Sequence, residues 1–187
     1  MGYFPENTFD DFVASWYSSE LNNFEEPSIY KQKSDVTKEV YRFTWLRSFD
    51  NPISIRIEIH DQDNATLYAK RAIFVFGDKS IKINKAIFRF DLGRIKIKKR
   101  KRISGNRLRY CLEIINDNKF WSLPKYDRLL FLDGARLRVL DGARWIIEGL
   151  SKGNYHIVTR QSPNKGGVKE IGLHFLKLSR LWVYDIY

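Results

Sequence analysis

Ile53-Ser54-Ile55-Arg56-Ile57-Glu58-Ile59-His60 alternates isoleucine with polar residues over eight positions, and this stretch decides the fold class. Successive side chains of a β-strand point to opposite faces, so the alternation gathers four isoleucines on one face; β-branched residues also fit a pleated surface. Upstream, Lys38 to Leu46 repeats the pattern, with Tyr41, Phe43 and Trp45 alternating with Arg42 and Thr44. Asp50-Asn51-Pro52 supplies the turn between the two strands. Downstream, Asp61-Gln62-Asp63-Asn64 ends the second strand, Thr66 to Phe76 resumes a strand-like pattern, and Gly77-Asp78-Lys79 turns into a further strand from Ile81 to Phe90. The middle of the chain therefore reads as an antiparallel meander.

Helical periodicity flanks it. Phe9, Phe12, Val13, Trp16, Leu21 and Phe24 recur at three-to-four spacing and predict an amphipathic helix over Thr8 to Phe24, with Thr8 and Asp11 as a capping box. Leu108, Cys111, Leu112 and Ile115 predict a middle helix capped by Ser104 or Asn106. Val168 to Trp182 reads as a C-terminal helix carrying Ile171, Leu173, Phe175, Leu176, Leu178 and Leu181, apolar enough to be covered on most sides. Between these helices, Ala143 to Leu150 and Tyr155 to Gln161 flank Ser151-Lys152-Gly153-Asn154, the signature of a β-hairpin. Leu132-Asp133-Gly134-Ala135-Arg136 is echoed by Leu140-Asp141-Gly142-Ala143-Arg144, which two Asp-Gly turns around a short strand explain. The expectation is an α+β fold: an antiparallel sheet of about five to seven strands with N-terminal, middle and C-terminal helices.

With 187 residues, 43% of them hydrophobic and 15% aromatic, the chain can bury one substantial core and is read as a single domain, 1–187. Cys111 is the only cysteine, which excludes an intrachain disulfide and any cysteine-only zinc site within one chain. Its place on the apolar stripe makes it a structural thiol rather than a nucleophile. Met1 to Glu6 carries no leader-like or myristoylation pattern and no apolar run reaches the ~20 residues of a membrane span, so a cytoplasmic protein without a membrane span is expected.

Charge is the conspicuous functional signal. Lys and Arg number 33 against 22 Asp and Glu, a formal net charge of +11, which attracts polyanions. Arg94, Lys96, Lys98, Lys99, Arg100, Lys101 and Arg102 place seven of those cations within nine positions, and Arg107 and Arg109 extend them into the next helix. Self-repulsion disfavours packing such a run, so it is expected to end a strand and lead through an exposed loop at Ser104-Gly105. It reads either as a contact for a phosphate backbone or acidic partner, or as a solubilising edge strand. In the hairpin, an even loop pairs Trp145 with Arg160 and sets His156 opposite Gly149 on the same face. Those three side chains could bind a base or an anion, or the indole could simply be packed beneath the guanidinium.

Other chemistry is weakly signalled. Asp61, Asp63 and Asn64 lack the glycine and glutamate of a calcium loop, and His60, His156 and His174 have no ligand spacing, so no metal or cofactor is expected. No phosphate loop, nucleophile elbow or zinc-protease helix occurs, and no catalytic residue is assigned.

Phe120-Trp121-Ser122-Leu123-Pro124, Asp141 to Gly149, Tyr155 to Pro163 and Leu176-Lys177-Leu178-Ser179 together resemble an uncharacterised family of small bacterial proteins. The resemblance covers about 60 residues well and the remainder loosely, departs from the pattern at Gln161, where a Trp is usual, excludes the basic run, and implies a bacterial single-domain protein with no activity attached. Two function classes follow. One is a non-enzymatic protein using 94–102 to engage nucleic acid. The other is an interaction module, such as an immunity or inhibitor protein masking an acidic partner surface, with an unrecognised enzyme third.

Overall fold

The computed structural model describes residues 2–47, 50–73, 80–83, 86–89, 94–126, 131–132, 135–136, 142–184 and 186. In chain order they form α1 (Asp11–Asn23), β1 (Glu39–Arg47), β2 (Ile53–Asp61), β3 (Asn64–Ile73), β4 (Ser80–Ile83), β5 (Ala86–Arg89), β6 (Arg94–Ser104), α2 (Asn106–Asp117), β7 (Phe131–Leu132), β8 (Ala135–Arg136), β9 (Ala143–Ser151), β10 (Asn154–Gln161) and α3 (Gly167–Ser179). Six strands make one antiparallel sheet in the order β10-β9-β1-β2-β3-β6, so the fold is α+β as the alternation predicted. Among the described residues, no helix is long and apolar enough to cross a membrane.

The isoleucine alternation does what its chemistry requires. Ile53, Ile55 and Ile57 are at most 1% exposed on one face, beside Tyr41, Phe43 and Trp45 of β1, Trp145 and Ile147 of β9, and Leu67 of β3. Leu108, Cys111 and Ile115 of α2, and Ile171, Phe175 and Leu176 of α3, close over this face. Burial pushes the Cys111 thiol up to about 12, which keeps it protonated and inert. Gly172 lets α3 approach the sheet, because a Cβ there would collide with the Trp145 ring.

The opposite face is also covered, which period two alone did not announce. Tyr17 and Leu21 of α1 pack on Leu46, Ile146 and Ile157, and the segment after α1 lays Glu26 over the polar side chains of β1 to β3. Arg42 is fully buried. It donates to Glu148 at 2.7 and 2.5 Å and to the Pro27 carbonyl at 2.7 Å. Glu26 lies 2.6 Å from Arg56, 2.7 Å from Lys70 and 3.7 Å from Arg42. Lys70 also donates to the Phe24 and Glu25 carbonyls, and Tyr155 donates to Glu148. Buried charges persist only when paired and hydrogen-bonded, and removing one partner leaves an uncompensated ion at a cost of about 3–5 kcal/mol.

Several boundaries differ from expectation, each for a local reason. α1 begins at Asp11, and Asp10 rather than Thr8 caps it by accepting from the Val13 amide at 3.0 Å; Thr8 is buried. Its buried residues are Tyr17, Glu20 and Leu21, with Phe24 at the end, so Trp16 lies only partly buried at the flank. The predicted strand from Ile81 to Phe90 is instead two short strands, β4 and β5, paired with Ile83 opposite Ala86. The turn predicted at Gly77-Asp78-Lys79 lies outside the described residues, as do Asp133, Gly134 and Asp141 of the echoed Asp-Gly turns. Neither Ser104 nor Asn106 caps α2; Gly105 takes that position without a side-chain bond. α3 stops at Ser179 because Arg180 adopts a left-handed conformation and the Ser179 hydroxyl accepts the Leu181 amide.

The hairpin matches its prediction. Lys152 and Gly153 form a two-residue turn with φ of +51° and +77°, the primed geometry that suits the twist of paired strands. Trp145 then faces Arg160 and Gly149 faces His156.

Candidate functional site

The basic run is not a loop. It is β6, eleven residues long, paired along its length with β3 and forming one edge of the large sheet. As expected, the run ends a strand at Ser104 and turns through Gly105 into α2; β3 supplies the ladder of backbone partners, and an edge strand leaves alternate lysines and arginines in water at little self-energy cost. Arg94 and Lys96 belong to β6 by backbone, and their side chains lie outside the described residues.

Period two divides the remaining cations. Lys99 and Lys101 lie on the α3 side, where Lys99 donates to the Arg180 carbonyl at 2.8 Å and Lys101 donates to the Leu178 carbonyl. These carbonyls end α3, the negative pole of its dipole. Lys98, Arg100 and Arg102 lie on the other side. Lys98 meets Glu25 at 2.8 Å with both side chains about two-thirds exposed; Arg100 lies 5.8 Å from the Tyr68 ring centre, and Arg102 donates to Asn64.

Around this edge Lys98, Lys99, Arg100, Lys101, Arg107, Ser179 and Arg180 line a recess of about 460 Å³. Among the described residues, six cations and one hydroxyl border it and no carboxylate does. Burial first, then the charges of Arg180, Arg107 and Lys99, pull the Lys101 ammonium below its ordinary pKa, the mark of a positive field with too few counter-charges. Arg107 stands in the first turn of α2, which carries no acid and no side-chain cap, so the helix's positive end adds to the same field. Arg109 is turned aside, donating to Asp63 at 2.8 Å and to Asn106. Arg180 and Ser179 were missed by sequence reading as site residues, because only the left-handed turn after α3 brings them back to β6.

The hairpin constellation has a different character. Trp145 has no exposed surface and packs against Phe43 and Trp45 at 5.0 Å, with the Lys169 ammonium over its ring. Arg160 donates to the Pro124 and Thr159 carbonyls, and a His156 ring nitrogen lies 3.0 Å from the Leu123 carbonyl while the ring packs on Phe120. Arg160 and His156 thus tie the 123–125 segment to the sheet edge. Asp61 holds its own turn, accepting from the Asp63 amide and the Asn64 side chain. Among the described residues no three His, Cys, Asp or Glu side chains converge.

No family model, curated protein or solved structure matches the chain. The functional reading therefore rests on the geometry of the β6 edge.

Proposed function

We propose that this is a non-enzymatic binding protein whose β6 edge contacts a polyanion, and that the polyanion is nucleic acid. The recess bordered by six cations, with no carboxylate among the described residues, carries the reading, since phosphate oxygens are the ligands such a field recruits. Lys98, Arg100, Arg107 and Arg180 supply the contacts, while Arg102 farther along the strand is held on Asn64. Lys99 and Lys101 hold the end of α3 against the edge and contribute charge from there.

About four phosphate contacts give log affinity a slope against log salt of about −4 on duplex DNA and about −3 on single strands. Titrating labelled oligonucleotides at about 50 and 200 mM salt measures it. Lys98→Gln, Arg100→Gln and Arg107→Gln together should cut affinity at low salt at least tenfold and bring the slope to about −1, with the melting temperature little changed because all three side chains are exposed. Binding no tighter than about 10⁻⁴ M at low salt would end the nucleic-acid reading. The interaction-module reading would then stand, with affinity arising from a few buried anchors and weak salt dependence.

A further inference from the structure

After Arg180 the chain leaves α3 and runs beside β6. The contacts advance in step: Lys101 donates to the Leu178 carbonyl, Lys99 to that of Arg180, and Arg71 to that of Trp182 at 3.0 Å. Arg71 is paired with Ile97, so the segment travels past Lys101 and Lys99 to the level of Ile97. Burial along it alternates. Leu181 is buried and Val183 partly so, both packed on the core, while Arg180, Trp182 and Tyr184 face out. Arg180 lines the cationic recess, and the two aromatic rings continue from it on the exposed side.

Trp182 is 64% exposed and Tyr184 81%, packed edge-to-face with ring centres 3.9 Å apart and planes inclined at 67°. A large aromatic ring left in water forgoes burial that the same chain achieves for Trp45 and Trp145. Two of them together, two and four residues beyond Arg180 of the cationic recess, have the composition of a base-stacking platform beside a backbone track. A duplex keeps its base faces stacked within itself, whereas a single strand offers them.

We infer that the protein's ligand is single-stranded nucleic acid, with phosphates along Lys98, Arg100, Arg107 and Arg180 and a base stacked on Trp182, against which Tyr184 packs at an angle. This rests on the nucleic-acid reading above and specifies its ligand.

The test uses a short labelled oligothymidylate and a hairpin duplex of equal charge, against wild type, Trp182→Ala, Trp182→Phe and the triple glutamine variant. Stacking predicts that wild type prefers the single strand, that Trp182→Ala loses about 5- to 100-fold in single-strand affinity with duplex affinity unchanged, and that Trp182→Phe keeps most of it. Tryptophan emission should also be quenched on adding unlabelled oligothymidylate to wild type, and much less in Trp182→Phe. Far-UV circular dichroism of each variant checks the fold, which an exposed side chain should not disturb. Trp182→Ala binding the single strand as tightly as wild type, or wild type preferring duplex, overturns the stacking inference. If the triple glutamine variant still loses both ligands, the backbone reading survives that outcome; if neither oligonucleotide binds wild type, both readings fall, and Trp182 and Tyr184 become a patch for a protein partner.

Discussion

Glu20 sits on the buried side of α1 at 8% exposure, and burial pushes its carboxyl up to about 7. An acid whose folded pKa lies above its unfolded value near 4.5 binds its proton more tightly in the folded state. Its stabilising contribution is therefore full below the unfolded value, fades as pH rises, and is gone above about 7. Glu20→Gln should flatten the dependence of unfolding free energy on pH between 4.5 and 7, and stabilise the protein at pH 8 by up to about 3 kcal/mol. Chemical denaturation of both proteins at several pH values checks this; parallel pH profiles would show that Glu20 is not held in an apolar site. Neither this residue nor the Glu26 cluster was legible in the chain. Glu26, Arg42, Arg56 and Lys70 are far apart in sequence, and each stands where an outward polar residue would. Cys111 was legible, because its partners on the apolar stripe lie one turn away on the same helix.

At the scale of elements, what the sequence made plain were local repeats. The alternation of the strands, the three helices and the hairpin register follow from spacing within a few residues, which is where strand and helix periodicity operate. Element ends were less legible, since α3 stops at a left-handed arginine that no propensity marks. The basic run reads as the end of a strand, but its partner β3 is not legible in it, and charge repulsion weighs less at a sheet edge than in a packed interior. That partition has a measurable consequence. Lys99→Ala with Lys101→Ala removes two ammonium donors from the last carbonyls of α3 and should destabilise the protein by about 1 kcal/mol. Urea denaturation measures the difference. A loss equal to that of the triple glutamine variant would show that the two sides of β6 are not distinct in role.

Across the whole molecule, charge is distributed by layer. One sheet face is apolar beneath α2 and α3, the other buries an ion-paired cluster beneath the segment after α1, and the β6 edge carries cations bordering a recess with no carboxylate among the described residues. A net charge of +11 opposes compactness unless it is spread over exposed edges or met by a counter-ion, and the β6 edge does the first and invites the second. Candidate residues 98–102 and Arg107 were legible as a charge run. Arg180, Trp182 and Tyr184 were not, since their place beside that run depends on how α3 ends. The most direct test of the whole account is residue-resolved: amide chemical-shift mapping of the ¹⁵N-labelled protein titrated with a short oligothymidylate at low salt. The account predicts that the largest shifts fall on residues 97–102, 107 and 178–184 and shrink together as salt is raised. Shifts centred on the 143–161 hairpin or on α1, with the β6 edge unmoved, would contradict it.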